Sequence, residues 1–96
     1  MIKHIVCFKL KDGSRESCEK AKEVLLGMKG NVPLLKDIAV HIDQLRSSRS
    51  YDVMLEVVLD SWADLDLYQN NPYHCGVVKK YMHAVRESSI AMDFDL

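Results

Sequence analysis

The chain has 96 residues, 48% hydrophobic and 28% charged, with a formal net charge of -1 at pH 7. This composition excludes a disordered chain and argues against nucleic-acid binding, which needs a concentrated positive field. It suits one domain over residues 1–96, near the size where a second subunit adds useful buried surface.

Cys7, Cys18 and Cys75 are odd in number and form no C-x-x-C pair. They suggest neither a disulfide framework nor a structural zinc site, and a reducing cytoplasm is the expected setting. The N-terminal apolar run is broken by Lys9 and Lys11, so it has neither the length of a membrane span nor the layout of a signal peptide.

Residues 2 to 10 alternate, with Ile2, His4, Val6, Phe8 and Leu10 on one face and Lys3, Ile5, Cys7 and Lys9 on the other, which predicts a strand. Gly13-Ser14 supplies a turn and an N-cap. Cys18, Ala21, Val24, Leu25 and Met28 then recur at helical spacing until Gly30 and Asn31 end the helix. Ile38, Val40 and Ile42 place a second strand over about 36 to 45, and a polar connection from Leu45 to Ser50 leads to the third, Tyr51 to Asp60.

Ser61, with Asp64 three residues on, opens a short helix carrying Trp62, Leu65 and Tyr68 on one face. Asn71-Pro72 restarts it, because Asn accepts from first-turn amides and Pro needs no partner for its missing N–H. His74 therefore falls in a first helical turn. The helix is expected to run to about Glu87 with Val77, Val78, Tyr81 and Val85 inward, followed by a last strand with Ile90, Met92 and Phe94.

The order β-α-β-β-α-β predicts an α+β, ferredoxin-like fold with an antiparallel four-stranded sheet and helices on one face. The other face would expose Ile5, Cys7, Met54 and Val58. Pairing two such faces into a dimeric α+β barrel covers them, so homodimerisation through the open sheet face is expected.

Ile2-Lys3-His4-Ile5-Val6 with Phe8-Lys9-Leu10, Arg49-Ser50-Tyr51-Asp52, Asp60-Ser61 and Tyr68-Gln69-Asn70-Asn71-Pro72-Tyr73-His74 resemble the stress-responsive A/B-barrel domain (Dabb) family of the dimeric α+β barrel superfamily. The resemblance spans essentially the whole chain. It implies a homodimer with a cavity in each subunit between sheet and helices, in a family where most members have no assigned reaction.

One plant branch, the olivetolic acid cyclase type, closes linear polyketides by a cofactor-free aldol condensation. Its catalytic first-strand histidine and Tyr/His pair match His4, Tyr68 and His74; its third-strand histidine matches Val53, a departure from the pattern. The haem-dependent monooxygenase branch of the superfamily finds no dedicated ligand among the four histidines.

Such a closure needs a base and a donor for the developing enolate. His74, kept neutral by the positive end of the helix dipole, is the candidate base; Tyr68 is the candidate to orient it or donate to substrate; and His4 faces the same space from the sheet. The plainer alternative has His74 and Tyr68 bracing the helix break by hydrogen-bonding each other or the backbone, and His4 as a satisfied core residue.

His41 and His83 read as surface residues, and no histidine spacing suggests a metal site. Cys75 at the helix start points away from His74 and is a poor nucleophile candidate. Glu56 falls on the presumed interface as a paired carboxylate or, alternatively, a pH-sensitive contact. The expected function is a homodimer that binds a small molecule, without cofactor, metal, nucleic acid or membrane. The alternative is a cofactor-independent cyclase, lyase or isomerase acting on a small carbonyl compound.

Overall fold

The computed structural model describes residues 1–96. The elements run β1 (Ile2–Leu10), α1 (Arg15–Leu26), β2 (Asp37–Ile42), β3 (Val53–Leu59), α2 (Trp62–Gln69), a π-helical segment His74–Lys79, α3 (Lys80–Val85) and β4 (Arg86–Asp95). The sheet order is β2-β3-β1-β4 with every neighbouring pair antiparallel. This is the expected ferredoxin-like plan.

Alternation along β1 and β3 sends Ile2, His4, Phe8 and Leu10 together with Val53, Leu55, Val57 and Leu59 into the core. There they meet Cys18, Ala21 and Leu25 from α1 and Tyr68, Val78 and Met82 from the second helical region. Side chains directly across an antiparallel ladder share a face. The registers therefore line up Ile90, Cys7, Met54 and His41 in one row of the open face. Met92, Ile5, Glu56 and Ala39 form the next row, and Phe94, Lys3, Val58 and Asp37 the third.

No helix covers these rows, and Met92 is 68% exposed. Glu56 lies in the middle row with Lys3 Nζ at 3.6 Å and His41 Nε2 at 2.8 Å. His41 is exposed, as expected of a surface residue, and lies on the open sheet face.

Several element ends differ from the sequence reading, and β2 already ends at Ile42 rather than near residue 45. Helix α1 stops at Leu26, with the Gly27 N–H donating to Glu23, Val24 and Leu25 carbonyls, and Met28 is buried in the turn that follows. A Cβ at Gly27 would lie 2.9 Å from the Tyr73 hydroxyl, so a larger residue there would have to displace that side chain. Strand β3 starts at Val53, just after Asp52, whose buried carboxylate accepts the Leu10 N–H at 2.7 Å and pairs with Arg46 at 2.9 Å.

Downstream, the helix ends at Val85 and β4 starts at once, so Glu87 is already strand. The π-helical turn also shifts which side chains face in: Val77, expected inward, is 46% exposed, and Met82 takes an inward place at 3%. Trp62 faces out as well, its indole N–H donating to Asp95 Oδ1 at 3.2 Å. No helix is long and apolar enough to cross a membrane.

Candidate functional site

The Asn71-Pro72 entry is built as its sequence dictates. The Asn71 side-chain oxygen accepts the N–H groups of Tyr73 at 2.9 Å and His74 at 3.1 Å. The Asn71 carbonyl accepts the Cys75 N–H at 2.9 Å. This fixes His74 in the first turn, facing the sheet.

His4, Tyr68 and His74 line one cavity of about 240 Å³ between the sheet and the second helical region. Its apolar wall includes Val6, Phe8, Leu55, Val78 and Met82. The Tyr68 ring packs against His74 at a centroid distance of 4.4 Å and a tilt of 35°. His4 meets the same ring edge-on at 5.9 Å.

The hydroxyl of Tyr68 does not orient the His74 imidazole as the sequence suggested. It is directed to Met28 Sδ at 3.7 Å, and complete burial raises its pKa and keeps it protonated. Tyr68 and His74 are in contact through their ring faces. His4 is 6% exposed and its Nδ1 is hydrogen-bonded to the Asp93 carboxylate. Asp93 stands directly across from His4 on β4.

His74 Nδ1 is buried and finds no hydrogen-bond partner in the protein. The His74 pKa is lowered from its ordinary value, first by burial, then by the charges of Lys79 and His4, with the Gln69 carbonyl acting the other way. The imidazole is thus neutral near pH 7, but the main cause is desolvation rather than the helix dipole. A neutral ring with an uncommitted nitrogen can accept a proton or hold a ligand's polar group.

Several residues outside the sequence-derived set belong to this region. Asp93 partners His4, and Lys79, His83 and Arg86 line the cavity; His83 is exposed, as expected, and borders the cavity as well. The alternation of Asp93 with Met92 and Phe94 was a usable signal for its placement on the helix-covered face. Val53 is buried in the core and is not part of the cavity lining.

Cys75 is exposed and its thiol donates to the Gln69 carbonyl. Burial raises the pKa of Cys7 and Cys18, which keeps both as thiols. No three His, Cys, Asp or Glu side chains converge as metal ligands. Hollows of about 300 and 290 Å³ lie at the open sheet face and beside the Arg46 loop. Neither holds an unpartnered buried polar atom, so the 240 Å³ cavity is the better candidate site.

The family model of the stress responsive A/B barrel domain matches residues 2–96. A dimeric ferredoxin-like protein of unknown function from Thermobifida fusca superposes with a TM-score of 0.84 at 24% identity, over 99% of this chain and 90% of that one. An Arabidopsis thaliana protein gives 0.85 at 17% identity, over 100% and 95%. A hydroxynitrile lyase from Passiflora edulis gives 0.78 at 16% identity, over 99% and 92%. No curated protein matches the sequence.

Proposed function

The chain belongs to the stress responsive A/B barrel domain (Dabb) family, and from that premise we propose that it is a homodimer binding a small molecule between sheet and helices. The observation that carries this reading is His74 Nδ1, buried and unpartnered beside a mainly apolar cavity. Leaving such a group unsatisfied costs about 1–3 kcal/mol, and a ligand polar group removes that cost. The uncovered apolar rows of the sheet support the dimer. Three free cysteines are in keeping with a reducing cytoplasm.

A second reading, a cofactor-independent cyclase, lyase or isomerase, is favoured by the neutral state of His74. A general base must be unprotonated and within reach of an acidic C–H, and burial supplies the first condition. The donor for a developing oxyanion would come from Arg86 or Ser89 on the cavity wall, since the Tyr68 hydroxyl is directed to Met28. The hydroxynitrile lyase among the structural relatives makes a small hydroxynitrile a sensible first probe.

One experiment separates the readings. A panel of small ketones, lactones and hydroxynitriles is titrated into the unmutated protein, with amide NMR shifts and turnover followed together. Binding predicts shifts clustered on His74, Val78, Met82 and Ala91 that are lost in His74→Phe, where a bulkier apolar ring replaces the imidazole. Catalysis predicts turnover that falls by about 10²-fold or more in folded His74→Ala. Shifts confined to the open sheet face, or none, end the cavity proposal.

A further inference from the structure

The cavity is lined by 15 residues, of which five are basic and none is acidic. His4 and His74 contribute two, and His4 is already engaged by Asp93. Lys79, His83 and Arg86 contribute the others, Lys79 and His83 four residues apart along the helical run and Arg86 at the start of β4.

None of these last three pairs with a carboxylate, so the charges of Lys79 and Arg86 are not neutralised where they border the hollow. A favourable interaction with the helix C-terminus accounts for basic residues in a last turn. It does not account for three of them bordering the same hollow. The Lys79 and Arg86 cations, without counter-charge beside low-dielectric walls, concentrate a positive field in the space they border. The charge of Lys79 reaches His74 across this region.

We propose that the cavity takes a small organic anion, a carboxylate on an apolar body. Its acid group lies at Lys79, His83 and Arg86, and its body packs against Phe8, Val78 and Met82. The Arg86 guanidinium offers the planar fork that a carboxylate matches, and Lys79 adds a point charge. The apolar walls require a hydrocarbon portion, which separates this ligand class from inorganic anions. The proposal rests on the small-molecule reading of the cavity and specifies its ligand.

The test compares hexanoate and benzoate with uncharged hexanamide and benzamide, by amide NMR titration of the full chain at low salt. The acids are expected to bind at least about tenfold more tightly than the amides, the scale of one charge-assisted hydrogen bond. Rising salt should erode that advantage, and K79Q/R86Q should abolish it while circular dichroism stays unchanged. Equal affinity for acid and amide overturns the anion inference and leaves the cavity reading standing. Absence of cavity shifts with all four compounds overturns both. Inorganic phosphate binding as tightly as hexanoate overturns the inference in favour of a general anion patch.

Discussion

His74 is the residue whose chemistry the surroundings change most usefully. Its pKa lies below the ordinary 6.5 because burial disfavours the imidazolium. As pH falls through the unfolded value, the unfolded chain takes up a proton that the folded chain refuses, so folding loses free energy until the lower folded pKa is reached. The His74 contribution is therefore fully present above about pH 6.5 and is lost on acidification. Urea unfolding at about pH 7.5 and about pH 5 should show a larger loss for the unmutated protein than for His74→Gln. A smaller loss would mean that the native ring is the cation.

At the scale of elements, the π-helical turn His74–Lys79 decides which side chains reach the cavity. A wider turn rotates the following residues relative to an α-helix, and such turns occur often at functional sites. Gly76 sits within it, and a Cβ there would meet no atom within 4 Å. Gly76→Ala should accordingly stabilise the protein by about 0.5–1 kcal/mol, the backbone-entropy difference between the two residues, read from the urea midpoint. Destabilisation would show that the turn needs glycine's conformational freedom.

The sequence made the strand faces legible because a period of two leaves no choice of side once one face is apolar. The Asn71-Pro72 entry was equally legible, because capping is local chemistry. The π turn was not, since a 3.6-residue period assigned Val77 inward and missed Met82. The contacts made by the Tyr68 hydroxyl and by the Asp93 carboxylate were not either. Their partners, Met28 and His4, are 40 and 89 positions away in the chain, and only helix packing and strand register bring them together.

At the scale of the whole molecule, the open sheet face is the surface through which a dimer is predicted to form. Ile90, Met92 and Phe94 on β4 continue the apolar surface of Ile5, Cys7, Met54 and Val58 across three strands. A contiguous patch of this kind on a small domain marks an association surface, and a second copy presenting the same rows satisfies a twofold interface. Glu56 does not oppose this, because Lys3 and His41 already partner its carboxylate within the face. The decisive variant is Met92→Lys. Met92 is 68% exposed in the single chain, so a lysine there leaves the isolated fold nearly untouched, whereas in a dimer it would bury an unpaired charge. Light scattering after gel filtration at micromolar concentration should show a dimer for the unmutated chain and a folded monomer for Met92→Lys, with association weakened by about a hundredfold or more. A monomeric unmutated protein would remove the dimer, but the cavity would remain, because its walls come from the other face of the same sheet and the helices packed on it.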